Sequence, residues 1–201
     1  MKKFMLPVVT LVLFSFSTDT TKLTEEERQM VNNHLTETRD HMLSVLDGLS
    51  DDQLNFKPDV NTWSIAEVVE HLAIIENTFG GLVHKTVADG ANPALKDSLV
   101  FKDEQIMPMI SDRSNKVKTS EPFEPSGKFG SHEETLQAFL DKRSELIEYV
   151  KTTDDDLRNR YNNDLPFGAV DGVQLIVFIA AHTERHVLQM EEVMAHSDFP
   201  E

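Results

Sequence analysis

The longest helical pattern in the sequence is the stretch from Asp171 to Ala195, which reads DGVQLIVFIAAHTERHVLQMEEVMA. No Pro or Gly interrupts it after Gly172, so it predicts a helix of about seven turns. A rotation of 100° per residue places His182 and His186 on one apolar face, one turn apart. That face also carries Leu175, Phe178, Ile179, Gln189 and Met190.

The spacing of the two histidines allows two interpretations. Side chains at positions i and i+4 can bind a single metal ion, although a histidine pair satisfied by ordinary core contacts is the more common arrangement. A zinc-protease motif is not present, because that motif has Glu directly after the first His and Thr183 stands there. A third inward histidine from another helix would favour the metal site.

The composition restricts the functions open to the chain. It has 201 residues, of which 39% are hydrophobic, enough for one domain with a sizeable core. With 35 acidic and 19 basic residues the formal net charge is −16, which argues against nucleic acid or an anionic membrane as a partner. The chain has no cysteine, so it forms no disulfide, and any metal must be bound by histidine and carboxylate.

The first 17 residues have the pattern of a secretory signal peptide. Lys2 and Lys3 precede an apolar run over residues 4–16, and Ser15 and Ser17 occupy the −3 and −1 positions of a cleavage site. The apolar run is too short to span a membrane. We therefore expect an exported protein, periplasmic or secreted, with one domain over residues 18–201 and no membrane attachment after cleavage.

Three more amphipathic helices precede the last one, and they begin at the capping signals of Thr24, Ser64 and Ser131. Residues 88–130 are irregular and hold four of the prolines, so they predict one long crossover connection between helices 2 and 3, with a short helix within residues 103–116. Four long amphipathic helices with almost no alternating strand pattern predict an all-α four-helix bundle.

The second helix supplies the third inward histidine. His71 shares a face with Val68 and Ile75, and Trp63 is expected to be largely buried where this helix begins. Glu67, one turn before His71, is either a helix cap or a residue that orients the ligand or shuttles protons, and it is the candidate for a catalytic role.

Other histidines and a faint repeat complete the pattern. His34, Thr38 and His41 lie on or beside the buried face of the first helix, where they could line a site, although ordinary packing explains them as well. His132 and His196 have no place in the expected site.

The turn at residues 49–54 is echoed by residues 152–157, which predicts two helix–turn–helix halves that face each other.

Two motifs resemble the DinB-like superfamily. Residues 63–71 read WSIAEVVEH and match the family pattern Trp-Ser-Ile-x-Glu-Val-x-x-His, and residues 180–186 read AAHTERH and match Ala-Ala-His-x-x-x-His. The likeness covers about residues 24–194. It implies a four-helix bundle in which His71, His182 and His186 bind one divalent ion, zinc or nickel.

The resemblance also implies a set of activities. Family members of known activity include bacillithiol S-transferases and a mycothiol-dependent maleylpyruvate isomerase, and others are labelled metal-dependent hydrolases. For this chain we expect hydrolase-type chemistry by metal-activated water on a small-molecule substrate, because the thiol cosubstrates are chiefly intracellular. A thiol S-transferase and a non-catalytic metal- or ligand-binding bundle stay open, as does a homodimer. A closed structural site would need a fourth ligand from Glu67, His34 or His41.

Overall fold

The computed structural model describes residues 22–165 and 168–201, which are mostly helical. The helices of this described part are α1 (Glu25–Leu46), α2 (Asp51–Asn55), α3 (Ile65–Ala88), α4 (Asp103–Ser111), α5 (His132–Thr152) and α6 (Gly172–Met194). Two short 3-10 helices, Pro93–Ser98 and Glu121–Phe123, lie between α3 and α5. Before α6, β1 (Tyr161–Asn162) pairs with β2 (Val170–Asp171) in antiparallel register. The predicted signal peptide lies outside the described residues.

Local sequence determines where the long helices begin. The side chains of Thr24, Ser64, Ser131 and Asp171 each accept a hydrogen bond from the backbone N–H three residues later. The side chain of that later residue in turn accepts a hydrogen bond from the backbone N–H of the cap. These reciprocal bonds satisfy backbone donors that the first helical turn leaves free. The helix starts predicted from the capping signals are therefore confirmed.

The four long helices form a closed bundle. α1 packs against α5 and α6, and α3 packs against the same two helices, so each long helix has two long neighbours. α4, from the connection between α3 and α5, covers the outside of α6. The all-α bundle with one long crossover connection is thus confirmed. None of the helices in the described ranges is both long enough and apolar enough to cross a membrane.

The predicted repeat is only partly present. Residues 51–55 form the short helix α2, whereas the corresponding residues 154–158 are not helical and lead into β1 instead. The short helix expected around Pro108 is α4, which includes that proline in its second turn. The two halves therefore share the order of their long helices but differ in their turns.

A buried arginine joins the four long helices. Arg143 of α5 has no exposed surface, and its Nε and Nη2 donate to the two carboxylate oxygens of Glu76 on α3, at 2.7 and 2.8 Å. Nη1 donates to the carbonyl oxygen of Leu35 and to Oγ1 of Thr38 on α1, and Nη2 also donates to Oγ1 of Thr183 on α6. The five N–H groups of the guanidinium therefore match five acceptors.

Candidate metal centre

Three histidines meet between α3 and α6. His71 lies on α3, His182 and His186 lie one turn apart on α6, and one ring nitrogen from each falls within a group whose members are all within 4.8 Å of one another. The ring centroid of His186 is 4.5 Å from that of His71 and 4.5 Å from that of His182. The two helical faces identified from the sequence therefore do bring these three side chains together.

The contacts of the Nδ1 atoms fix which nitrogen of two rings faces the centre. Nδ1 of His71 lies 2.8 Å from the carbonyl oxygen of Phe123, and Nδ1 of His186 lies 3.0 Å from Oε1 of Gln189. Both partners are acceptors, so each Nδ1 carries the hydrogen and each Nε2 keeps its lone pair. Nε2 of His71 is buried and has no hydrogen-bond partner among the described residues.

His182 completes the group. Its Nε2 lies 3.3 Å from Nε2 of His186, which presents a lone pair, and its Nδ1 is buried without a hydrogen-bond partner in the described part of the chain. Buried polar atoms are normally paired, so this group of unsatisfied imidazole nitrogens is unusual in a plain protein core. A divalent cation would satisfy the converging nitrogens, and the donor set therefore fits a metal ion.

Burial keeps these imidazoles neutral. Loss of solvent lowers the pKa of His71 despite its bond to the Phe123 carbonyl. Burial, with repulsion from His71 and Arg185, lowers the pKa of His182 to about 3. Burial, with repulsion from the other two histidines, also holds the pKa of His186 well below its ordinary value. Neutral imidazole is the form that binds metals, so the environment favours the binding state.

Aromatic side chains surround the three rings. The Trp63 ring centroid is 5.0 Å from that of His71 and 6.4 Å from that of His186, and the Phe178 ring is 5.8 Å from His182. Trp63 is partly buried and packs against the hydrophobic core at the start of α3, where part of its surface stays exposed. It packs on the histidines at the edge of the core because the helix cap at Ser64 holds it beside the start of α3.

The other sequence candidates lie in different contacts. The Glu67 carboxylate accepts from Nζ of Lys57 and from the backbone N–H of Ser64, so it caps the helix, and neither of these bonds reaches His71. His41 lies against Glu184 and Glu191, with Nδ1 3.1 Å from the Glu184 carboxylate. Within the described ranges the potential ligand group contains only His71, His182 and His186.

The remaining candidates from the first helix also stay outside the group. Thr38 donates to the carbonyl oxygen of His34 and accepts from the buried Arg143, which makes it part of the core network. Burial lowers the pKa of His34, and it has no place among the three clustered histidines. None of the predicted fourth ligands reaches the centre, and among the described residues only the three histidines form it.

One important residue was missed in the sequence. Glu70, directly before His71, is buried, and its carboxylate accepts from the backbone N–H groups of Ser126, Gly127 and Lys128 at 2.9 to 3.0 Å. Burial alone would raise its pKa, but these three bonds lower it below the ordinary value. Glu70 thus attaches the crossover connection to α3 beside the Phe123 carbonyl. The available signal was an acidic residue within the otherwise mostly apolar run of residues 68–75.

Comparison with known proteins agrees with the fold and the histidine group. A family model described as the DinB superfamily matches residues 34–190, which include all three histidines. The chain is also 30% identical over 148 residues to the uncharacterized protein YuaE of Bacillus subtilis (strain 168), an alignment that covers 74% of this chain and 87% of YuaE. The protein whose fold and histidine group are described above belongs to the DinB superfamily.

Proposed function

We propose that this protein is an exported metal-dependent enzyme that binds one divalent ion through His71, His182 and His186 and hydrolyses a small-molecule substrate. The observation that carries the proposal is the convergence of one ring nitrogen from each of three largely buried, neutral imidazoles, with no fourth ligand among the described residues. Imidazole ligands suit zinc and nickel, and either ion is our expectation here. When bound, such an ion supplies Lewis acidity and activates water for attack at neutral pH.

The chain itself prepares the site. The Phe123 carbonyl orients the ring of His71, and the Gln189 amide orients that of His186. Trp63 shields His71 from bulk water, and Phe178 shields His182. Open positions beside three protein ligands are typical of catalytic sites, whereas structural sites are usually closed by a fourth. This difference favours an enzyme over a bundle in which the ion only ties α3 to α6.

A groove beside the centre supports a substrate with an apolar part. It has a volume of about 470 Å³, and its walls include Phe79, Leu82, Phe123 and Leu165. The Phe79 ring lies 5.5 Å from Phe178, which in turn packs on His182. Phe123 connects the groove to the histidine group, because it lines the groove and its carbonyl oxygen accepts a hydrogen bond from His71.

The test starts with protein purified without a histidine tag and stripped of metal. We expect it to bind one equivalent of zinc or nickel, and each of His71→Ala, His182→Ala and His186→Ala to weaken binding at least 100-fold. His196→Ala is the matched control, because this histidine packs on Phe56 instead and should leave the affinity unchanged. A wild-type protein that binds neither ion, nor manganese nor iron, would refute the metal centre.

The reaction type is tested separately. A panel of esters, amides and phosphate esters with apolar groups should show hydrolysis that a chelator abolishes and the metal restores. Turnover that appears only with an added low-molecular-weight thiol would replace hydrolysis by S-transfer. Metal binding that raises the melting temperature without any turnover would support the non-catalytic alternative.

A further inference from the structure

A chain of polar contacts runs from the protein surface to the metal centre. Arg113, just beyond the end of α4, pairs with the Glu192 carboxylate through Nε and Nη2, both at 2.7 Å. Its Nη1 donates to Oε1 of Gln189 at 3.3 Å, and the same Oε1 accepts from Nδ1 of His186 at 3.0 Å. The side chain of Arg113 is 13% exposed and that of Glu192 is 51% exposed, so the contacts lead from the solvent-exposed carboxylate to a largely buried guanidinium.

The arginine determines which end of the Gln189 amide faces His186. A guanidinium has only donors, so the amide atom that faces Arg113 must be the oxygen. That oxygen is then also the atom that meets the imidazole, and Nδ1 of His186 must carry the hydrogen. If the amide turned over, its NH2 group would meet Nδ1 and favour the other tautomer, in which Nε2 is protonated and cannot bind a metal.

We propose that Arg113 is a positioning residue of the metal centre, which holds the Gln189 amide so that Nε2 of His186 presents its lone pair. The inference rests on the proposed metal site and deepens it. It gives a role to the crossover connection, because the connection supplies Arg113 for His186 and the Phe123 carbonyl for His71. Outer contacts of this kind change metal affinity by roughly 10 to 100-fold when removed.

The decisive experiment combines tautomer and affinity measurements on four variants. In metal-free wild type at pH 8, long-range ¹H–¹⁵N NMR should show His186 protonated only at Nδ1. Arg113→Met should introduce the Nε2-protonated form and weaken zinc binding 10 to 100-fold in a competition titration. Gln189→Leu removes the acceptor while it keeps Arg113, and it should cause a similar loss.

The rescue separates positioning from general support of the fold. A carboxylate at residue 189 has no donor end, so its orientation no longer depends on the arginine. The double variant Arg113→Met with Gln189→Glu should therefore restore zinc affinity to within about threefold of wild type and return His186 to one tautomer. If the double variant binds zinc as weakly as Arg113→Met alone, the positioning role is wrong.

Arg185→Met is the matched control. Arg185 ties α6 to the same connection through the carbonyl oxygens of Ile110, Asp112 and Asn115, but its side chain has no contact with Gln189 among its hydrogen bonds. It should leave the His186 tautomer unchanged, and a tautomer shift equal to that of Arg113→Met would overturn the proposal. Failure of wild type to bind zinc, nickel, manganese or iron would refute the proposed function, while the tautomer in metal-free protein would still decide the role of Arg113.

Discussion

At the scale of single residues, the charged pair of Arg143 and Glu76 has the greatest energetic weight. Both side chains are almost completely buried, at 0% and 1% exposure. Removal of one partner leaves the other charge without compensation in the core, which typically costs 3–5 kcal/mol. We expect Arg143→Met to lower the free energy of unfolding by about this amount in urea denaturation.

The matched variant replaces both charges. Arg143→Met combined with Glu76→Leu removes the uncompensated carboxylate and should recover a large part of the loss, because apolar side chains of similar volume can replace a buried pair. A single Arg143→Met change that costs less than about 1 kcal/mol would show that solvent reaches the pair.

The clustered histidines predict an acid-sensitive metal-free protein. Burial lowers their pKa values in the folded state, so between the folded pKa and the ordinary value near 6.5 only the unfolded chain is protonated. Above pH 6.5 the histidines are neutral in both the folded and the unfolded chain, so they do not reduce the free energy of unfolding. Below pH 6.5 that free energy falls as the pH drops. The loss is about 1.4 kcal/mol per pH unit for each imidazole that stays neutral.

The check is the melting temperature of metal-free protein between pH 7.5 and 5. It should fall with acidification, and the fall should be shallower in His182→Ala. His41 acts in the opposite sense: although burial works against it, Glu184 and Glu191 raise its pKa, and its contribution is lost as the pH rises through that raised value. A flat profile down to pH 5 would contradict the buried, neutral state of the three rings.

At the scale of helices, α3 contains two adjacent glycines at positions where the backbone conformation and the neighbouring atoms do not require glycine. Neither Gly80 nor Gly81 has positive φ, and an added Cβ at either position meets nothing within 4 Å. Glycine inside a helix costs about 1 kcal/mol relative to alanine. Gly80→Ala should therefore raise the free energy of unfolding by about 0.5–1 kcal/mol.

Gly130 is the contrasting position for the same substitution. It has a φ of 96°, and an added Cβ would clash with the Glu134 carboxylate that returns to the cap of α5. Gly130→Ala should therefore destabilise the protein, as measured by the same urea denaturation. Stabilisation at Gly130, or a loss of stability at Gly80, would contradict this description of the two positions.

Helices show where sequence reasoning succeeds and where it stops. The starts of α1, α3, α5 and α6 depend on residues three apart, and the faces of His71 and His182 depend on helical period, so both are visible in sequence. The carbonyl oxygen of Phe123 is a backbone atom that contacts His71 across 52 residues of sequence, and a phenylalanine side chain gives no indication of this contact. Long-range contacts of this kind require the tertiary structure.

At the scale of the whole molecule, the expected export stays a prediction. The charged start, the apolar run and the cleavage pattern fall on residues 1–17. We expect mass spectrometry of secreted or periplasmic material to find a mature chain that begins near Thr18. An intact Met1 on exported protein, or retention in the cytoplasm, would contradict it.

The overall architecture was predictable from the sequence, but the hydrogen-bond network around Arg143 in the core was not. Four amphipathic stretches and one long connection allow few arrangements other than a bundle. Helical spacing places Arg143 on the same face of its helix as Phe139 and Ile147. Nothing in the sequence shows that Glu76, Thr38 and Thr183 meet it. The partners that make it possible to bury a charge come from other helices, and the periodicity within one helix does not reveal them.

Arg143 also limits how the chain can be divided. A cut in the crossover connection would separate α1 and α3, which carry the carboxylate of Glu76, from α5 and α6, which carry the guanidinium. Each fragment alone would hold half of an ion pair that has no place in an apolar interior. The fragments should therefore fold only on mixing, by complementation, and fragments that fold separately would show that the ion pair does not tie the two halves together.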